Sequence, residues 1–227
     1  MRYPAEPFRI KVVETVRYVS REERTRLLDE AGLNIFSVPA DSIYIDLLTD
    51  SGTSAMSDRQ WAGLMMGDES YAGSRNFYNL QKTVQGITGY PHVIPTHQGR
   101  SAEHLLFSAL VSKGQIVPNN SHFDTTRANV EAEGAEALDL VIEAAHDPAE
   151  EHPFKGNMDL ARLERVLSEN GRAKIPLVMI TITNNSGGGQ PVSLENAQAV
   201  QAICDRHGVP LFFDACRFAE NAFFVKD

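Results

Sequence analysis

The 227-residue sequence is moderately acidic and has the composition of a globular protein. Hydrophobic residues make up 42% of it, and 21 lysines and arginines stand against 30 aspartates and glutamates, for a formal net charge of −9. Neither sign of charge forms a long run, which argues against nucleic acid and anionic membrane as partners. No apolar stretch reaches the ~18 residues of a membrane span, and the start lacks the apolar core of a secretion signal, so we expect a cytoplasmic protein.

Length and cysteine content narrow the class further. A chain of this length can bury a substantial core and corresponds to one large domain or to one and a half. Cys204 and Cys216 are too few for a disulfide framework, and their spacing matches no usual zinc motif. We therefore predict that both are reduced residues of the core.

Helix-capping signals mark the elements of the first ninety residues. Ser20 begins a capping box, and the helix that follows it should end at Gly32. Residues 42–48 have strand character and lead into a polar turn. A second helix should begin after Ser74, carry one apolar face, and end at Gly89.

The second half of the sequence predicts a β-α-β unit. Residues 176–183 form a nearly continuous apolar run, as in a parallel strand that is covered on both faces. Ser193 then caps a helix that ends at Gly208, and residues 209–213 form the next strand. This α/β order implies a mostly parallel, layered sheet whose ligands bind beyond the carboxyl ends of its strands, where Asp214 lies.

A candidate phosphate-binding turn lies between a predicted strand at 92–96 and a helical pattern at 101–112. Residues 97–100 (His-Gln-Gly-Arg) form this turn. Gly99 would let backbone N–H groups approach an oxyanion, and both the helix N-terminus and Arg100 favour negative charge there. The tetrapeptide alone fits a helix start with a surface arginine at least as well.

Other single residues are equally open to two interpretations. Asp214 at a strand end can pair with Arg217, or it can hold a protonated pyridine nitrogen so that the ring accepts electrons. Asn185 is either a turn residue or a side-chain donor beside it. Phe123 is either a core aromatic or a ring that stacks on a flat cofactor, and Tyr71 is either a turn residue or a general acid.

Five stretches together give these residues a common meaning, namely 46–53, 66–74 (Met-Gly-Asp-Glu-Ser-Tyr-Ala-Gly-Ser), 95–100 (Pro-Thr-His-Gln-Gly-Arg), 188–193 and 219–222. In these stretches, and with almost no gaps from about residue 3 to residue 226, the sequence resembles the β-eliminating lyases, the family of tryptophanase and tyrosine phenol-lyase. The resemblance spans the whole chain but only the front half of a family member.

The resemblance implies an α/β fold of the aspartate-aminotransferase-like class, also called fold type I of the pyridoxal-phosphate enzymes. Residues 1–45 would form an N-terminal arm with a helix, and residues 46–227 the N-terminal part of an incomplete cofactor-binding large domain. Family members usually form homotetramers in which neighbouring subunits share active sites, so we expect an equivalent oligomer.

The resemblance also implies which residues bind pyridoxal 5'-phosphate: Gln98, Gly99, Arg100, Phe123, Asn185, Asp214 and Arg217. The first three would hold the phosphate. Phe123 would stack on the ring, Asp214 would pair with the ring nitrogen, and Asn185 and Arg217 would meet the phenolic oxygen.

Substrate and cation residues follow from the same resemblance. Thr49 and Ser51 would lie near the amino-acid end of the substrate. Tyr71 would donate a proton to the departing ring carbon, in the active site of a neighbouring subunit. Glu69 and the Gly52 carbonyl would help to hold a monovalent cation, expected to be potassium.

Asp124 bears on the substrate. The indole-releasing branch of the family carries aspartate at this position, near the indole N–H, and the phenol-releasing branch carries threonine. Residues 217–221 and 185–186 also resemble the indole branch, whereas residues 3–11 are nearer the phenol branch. The sequence favours tryptophan, and a tyrosine phenol-lyase-like activity or a specialised amino acid remains an alternative.

The family's Schiff-base lysine has no counterpart among the six lysines of this sequence: Lys11, Lys82, Lys113, Lys155, Lys174 and Lys226. In the family it follows the position of Asp214 by a longer stretch than this sequence contains. We therefore expect one subunit of a split enzyme, in a hetero-oligomer whose C-terminal-half partner supplies the lysine. The alternatives are a truncation product, a pseudoenzyme, and a non-catalytic subunit that binds pyridoxal phosphate or regulates a partner.

Overall fold

The computed structural model describes residues 15–46, 48 and 56–226. These residues fall into two units, one that reaches to Pro91 and one that begins at His92. The predicted domain boundary after residue 45 stays a prediction. Among the described residues, no helix has the length and apolar character needed to cross a membrane.

The first unit is helical, with α1 at Arg21–Glu30, α2 at Asp58–Met65, α3 at Arg75–Thr88, and 3-10 turns at Ile35–Ser37 and Ala40–Ser42. The predicted caps at Ser20, Ser74 and Gly89 are confirmed, but the capping box at Ser20 is only half formed, because the Glu23 carboxylate accepts Arg17 instead of the Ser20 N–H. The Ser20 hydroxyl accepts the backbone N–H of Glu23 at 3.2 Å. Ser74 caps α3, and Gly89 ends it with a φ of +74°, a left-handed conformation that glycine adopts without strain.

The strand predicted over residues 42–48 is wrong for its described residues. A 3-10 turn ends at Ser42, and bends follow it. Tyr44 and Ile45 are mostly exposed. The described residues of this unit contain no strand that could pair with the segment, and an extended segment without a neighbour leaves its backbone groups unpaired.

The second unit alternates helices and strands: α4 at Gly99–Leu110, β1 at Ile116–Asn119, α5 at Asp124–Ala132, β2 at Glu136–Asp139, α6 at Leu160–Lys174, β3 at Val178–Thr181, α7 at Leu194–His207, β4 at Leu211–Asp214 and α8 at Phe218–Lys226. A 3-10 turn at Glu143–Ala145 lies between β2 and α6. Strand β1 pairs in parallel with β2, and β3 with β4. The predicted β-α-β unit is therefore confirmed as β3, α7 and β4.

The strand predicted over residues 92–96 is wrong. These residues are irregular up to the start of α4, and Ile94 is largely exposed. The described ladders pair β1 with β2 and β3 with β4, and they leave this segment without a neighbouring strand. Its apolar residues therefore gain no sheet contact.

Alternate residues of β3 divide the core between two faces of the sheet. Val178 and Ile180 pack in one cluster with residues of α6 and α7: Leu163, Leu167, Val200, Ile203 and Cys204. Leu177 and Met179 point the other way and pack with residues of α4, β1 and α5: Phe107, Val117 and Val130. Every residue of β3 is buried, as its continuous apolar sequence predicts for a strand between two helical layers.

The Asn120 side chain joins the two strand pairs. Its Oδ1 accepts the backbone N–H of Thr181 at 2.9 Å, and its Nδ2 donates to the Thr181 carbonyl at 3.0 Å and the Gly156 carbonyl at 2.8 Å. Beside it, Asn119 donates to the Thr181 hydroxyl at 3.0 Å. These bonds hold the ends of β1 and β3 side by side, so the carboxyl ends of the four strands lie along one edge.

Asn120→Ala should strongly destabilise the second unit. The change leaves three buried backbone groups without partners, and each such group costs about 1–3 kcal/mol, so we expect a loss of roughly 3 kcal/mol or more in the free energy of unfolding. Urea denaturation measures this loss. Asn170→Ala is the matched control, because Asn170 makes one side-chain bond, to Val166 within α6, and its loss should cost less than about 1 kcal/mol. Equal losses in the free energy of unfolding of the two variants would contradict the role of Asn120 in joining the two strand pairs.

Candidate functional site

The carboxyl edge of the sheet carries most of the predicted cofactor residues. Phe123 precedes α5, which follows β1, and Asp214 is the last residue of β4. Asn185 lies in the turn after β3. The Ser186 hydroxyl donates to the His122 carbonyl at 2.8 Å, so a hydrogen bond links the Asn185 turn to the segment that carries Phe123.

Burial disfavours the charged form of the Asp214 side chain. Removal from water raises its pKa above the ordinary value, although a hydrogen bond from the Cys216 backbone N–H and the charge of Arg217 act in the opposite direction. The Cys216 N–H lies 3.3 Å from Oδ1. A cation placed against this desolvated carboxylate would therefore interact with it more strongly than with a carboxylate in water.

Glu103 is a second carboxylate near Asp214. Burial raises the pKa of Glu103, and the negative charge of Asp214 raises it further. The Thr126 hydroxyl donates to Glu103 Oε1, and Asn129 Nδ2 lies 3.5 Å from Oε2. The carboxylate thus connects α4 to α5.

The start of α4 has the properties that a phosphate site requires. Gln98 caps the helix with its carbonyl oxygen, which accepts the N–H of Ser101 at 3.0 Å, and no described side chain bonds the cap. A methyl group added at Gly99 would meet no atom within 4 Å, so the side of Gly99 where a side chain would project is open. Arg100, the next residue, is exposed. Backbone N–H groups, helix dipole and guanidinium together suit an anion.

Tyr71 and Glu69 belong to the first unit, in an exposed loop before α3. The Tyr71 side chain is fully exposed. The predicted substrate and cation residues Thr49, Ser51 and Gly52 lie outside the described residues.

The Tyr71 loop is anchored by Asp68. Its carboxylate accepts the backbone N–H groups of Arg75 at 3.0 Å and Asn76 at 3.1 Å, and the hydroxyls of Ser70 at 2.9 Å and Ser74 at 3.0 Å. The Arg75 N–H contributes most to a pKa of Asp68 well below its usual range. A carboxylate fixed at the N-terminus of α3 therefore holds the loop in a defined shape.

Within the described ranges, no group of three or more histidine, cysteine, aspartate or glutamate side chains is arranged to hold a metal ion. The cation predicted at Glu69 and the Gly52 carbonyl stays a prediction, since Gly52 is not described.

The cysteine prediction is half right. Cys204 is buried in the core, and burial raises the pKa of its thiol to about 12. Cys216 is exposed, which contradicts the prediction of a core residue. It lies in the turn after β4, where its backbone N–H bonds Asp214 instead of a strand neighbour.

Comparison with known proteins decides the family. A sequence model described as "Beta-eliminating lyase" matches residues 46–227. The chain belongs to this family. It is 58% identical to a tryptophanase of Hyphomonas neptunium over 226 residues, and 50% identical to a tyrosine phenol-lyase of Pasteurella multocida over 225 residues. These matches cover 100% and 99% of this chain, and 50% and 49% of the two relatives. The chain therefore spans about half the length of the curated relatives it matches.

A solved structure supports the predicted fold class. The crystal structure of the SepCysS complex with the SepCysE N-terminal domain matches with a TM-score of 0.51 and 18% sequence identity. The match covers 68% of this chain and 40% of that one. The prediction of an incomplete α/β domain of the aspartate-aminotransferase-like class is confirmed.

Asp214→Asn should stabilise the chain at neutral pH when no cofactor is bound. Because the folded chain holds the Asp214 proton more tightly than the unfolded chain, stability is lost as pH rises from the unfolded pKa of about 3.9 through the raised folded pKa. Asparagine lacks this loss and retains the oxygen that accepts the Cys216 N–H. The urea unfolding midpoint of the variant should exceed that of the wild type at pH 7 but not at pH 3.5. A wild-type chain that is more stable at both pH values would contradict the raised pKa.

Proposed function

We propose that this chain is the front half of a pyridoxal-phosphate-dependent β-eliminating lyase that acts on an aromatic amino acid and is tryptophanase-like. The observation that carries the proposal is the desolvated carboxylate of Asp214 at the end of β4, in a chain of the β-eliminating lyase family. The bond cleaved is carbon–carbon, or carbon–sulfur in substrates with a sulfur leaving group.

The donor set at the carboxyl edge fits pyridoxal phosphate. An open helix start with Arg100 suits its phosphate, Phe123 offers a partly exposed aromatic face, and Asp214 offers a carboxylate. Among the described residues, four buried polar atoms near this edge have no hydrogen-bond partner: Asn119 Oδ1, His122 Nε2, Thr183 Oγ1 and Asn184 Nδ2. Such groups are unfavourable unless a further polar group meets them. When bound, the cofactor supplies an electron sink for the substrate α-carbon.

Asp214 would keep the ring nitrogen protonated. A carboxylate raised in pKa by burial gains most from a cationic neighbour, and the neighbour's proton is in turn held more tightly. Gln98, Gly99 and Arg100 would fix the phosphate and thereby the position of the ring. Phe123 would cover one face of the ring and exclude water from it.

Asn185 and Arg217 would donate to the phenolic oxygen. Asn185 follows β3 and Arg217 follows β4, and the Arg217 backbone N–H donates to the Ile182 carbonyl at 3.0 Å, which ties the two turns together. The two donors therefore come from turns that follow neighbouring strands and that are bonded to each other.

Tyr71 would protonate the leaving carbon of the substrate. An aromatic carbon departs poorly until protonation turns the ring into a neutral indole or phenol, so a positioned acid is needed. The full exposure of Tyr71 in this chain supports a role in the active site of a neighbouring subunit. Asp124, exposed at the start of α5, would accept the indole N–H. Thr49 and Ser51 would lie at the amino-acid end of the substrate, with potassium near Glu69 and Gly52.

The Schiff-base lysine would come from a C-terminal half, which we place on a partner subunit of a hetero-oligomer equivalent to the family tetramer. Lys113 and Lys174 lie before the amino ends of β1 and β3, opposite the site edge. The Lys155 amino group donates to the Asp147 carbonyl at 2.7 Å. Lys82 lies in the first unit, and Lys226 in the last turn of α8. The matched relatives, about twice as long, support such a half.

The chain alone should not turn over amino acids, but the chain together with a C-terminal half should. We would co-produce it with the half of the Hyphomonas neptunium tryptophanase that the match leaves uncovered. Release of indole from tryptophan, measured by chromatography, is expected only from the mixture. Replacing the cofactor lysine in the added half should abolish it.

Two outcomes would count against this proposal. Turnover by the chain alone, lost when one of its own six lysines is replaced, would contradict the need for a second half. Cofactor binding by the mixture without any turnover would instead favour a non-catalytic cofactor-binding subunit.

Tyr71→Phe in the complete enzyme should separate proton exchange from ring release. The variant should still exchange the substrate α-proton, but indole release should fall by about 10²–10⁴-fold, the typical contribution of a general acid. With an S-alkyl cysteine as substrate, the rate of product release should fall far less, because the thiolate departs without protonation at carbon. Deuterium exchange and product release measure the two steps. Tyr90→Phe, at another exposed tyrosine of the first unit, is the control and should change neither.

Equal losses for carbon and sulfur leaving groups would contradict the role of Tyr71 as an acid.

Asp124→Thr tests how the enzyme recognises the leaving group. It should harm an indole substrate more than a phenol substrate, because it removes the acceptor for the indole N–H.

A further inference from the structure

Asp139 forms a three-bond anchor at the end of β2. Its Oδ1 accepts both the backbone N–H of His122 at 2.9 Å and the imidazole Nδ1–H of His122 at 2.7 Å. Its Oδ2 accepts Arg127 Nη2 at 2.7 Å. Burial alone would raise the pKa of Asp139, but the His122 hydrogen bonds and the Arg127 charge lower it below its ordinary value. The anchor is therefore an ionised, hydrogen-bonded carboxylate.

The two residues that Asp139 holds lie on either side of Phe123. His122 comes directly before Phe123, and Arg127 comes one helical turn after it. The Arg127 backbone N–H donates to the Phe123 carbonyl at 2.9 Å, as the first turn of α5 requires. One carboxylate thus fixes both ends of the turn from which the Phe123 ring projects.

A second tie reaches the same segment from β3. The Ser186 hydroxyl donates to the His122 carbonyl at 2.8 Å. The N–H, the carbonyl and the side chain of His122 are therefore all held, the first and last by β2 and the carbonyl by the turn that carries Asn185. The stacking residue and a predicted phenolic-oxygen donor are kept in one rigid arrangement.

The imidazole of His122 is unfavourable as mere core filling. Its side chain is 0% exposed, and its Nε2 has no hydrogen-bond partner among the described residues. An apolar side chain at this position would leave no buried nitrogen without a partner. The Nδ1–H bond to Asp139 is what the imidazole adds over an apolar ring.

We propose that Asp139, His122 and Arg127 form a clamp that positions Phe123 against the pyridine ring of the cofactor. The clamp touches neither substrate nor reacting atoms, so its members are positioning residues. The inference rests on the proposed function, because it requires pyridoxal phosphate at the carboxyl edge of the sheet.

The test uses the complete enzyme, this chain with the C-terminal half, and pyridoxal 5'-phosphate as the probe. We would measure the dissociation constant by equilibrium dialysis, the visible circular dichroism per bound cofactor, and the unfolding temperature. His122→Phe and Asp139→Asn should each weaken binding about tenfold, the effect of losing one charge-assisted hydrogen bond. Both should also reduce the circular dichroism, because the ring is held less firmly.

Three further variants separate positioning from general stability. His122→Asn keeps an N–H donor at the Nδ1 position and should restore most of the binding and the circular dichroism. In a Phe123→Leu background, His122→Phe should weaken binding by no more than about twofold further, because effects that act through one residue do not multiply. Glu164→Gln is the matched control, because it removes another histidine–carboxylate pair, that of His207 and Glu164 at 2.7 Å between α6 and α7. This variant should change neither the cofactor binding nor the circular dichroism.

Several results would overturn the clamp. A lower unfolding temperature for His122→Phe with unchanged binding and circular dichroism would show a purely structural role. Fully multiplicative losses with Phe123→Leu would show that His122 does not act through Phe123. If His122→Phe fails to fold, Asp139→Asn and His122→Asn decide the question by the same readouts. A wild-type enzyme that does not bind the probe would overturn the proposed function and the clamp together, whereas normal binding by all clamp variants would overturn the clamp alone.

Discussion

The structure of the second unit depends on one side chain that replaces backbone pairing. Asn120 offers Thr181 both an acceptor and a donor, as a neighbouring strand would, and so joins two parallel pairs that share no described ladder. Because the joint lies where β1 and β3 end, the segments that follow both strands begin at the same level. The helix start with Phe123 and the turn with Asn185 therefore meet, and the bond from Ser186 to His122 becomes possible.

The sequence predicts the parts of this fold whose signals are local. The β3, α7 and β4 unit has a continuous apolar run, a serine cap and a glycine stop, and all three behave as expected. Strands β1 and β2 escaped sequence analysis because β1 contains Pro118 and β2 begins and ends with an acidic residue, so neither has the continuous apolar run of β3. The wrong strands at 42–48 and 92–96 show the opposite case, since apolar residues cannot reveal whether a partner strand exists.

The residues of the site divide along similar lines. Family motifs predict those expected to touch a ligand, because each motif can be matched position by position. They do not identify Asp139, His122 or Glu103, whose importance comes from contacts between distant segments. The sequence carried one usable signal, a histidine shortly after one short strand and an aspartate at the end of the next, but those strands themselves were not predicted. The family motifs also do not reveal that Glu103 lies near enough to Asp214 to feel its charge. The pKa values of both carboxyls are raised, so a cation at this edge would be stabilised by both.

The joint between Asn120 and Thr181 also bears on how the chain folds during synthesis. The two residues are 61 positions apart, so the joint closes a long loop, and the entropy of that loop must be overcome before the contacts can form. Strands β1 and β2 leave the ribosome well before β3, and in that interval the edge of β1 has no neighbour and can pair with other chains. Until Thr181 emerges, the nascent domain depends on α4 and α5 to cover the apolar face of β1.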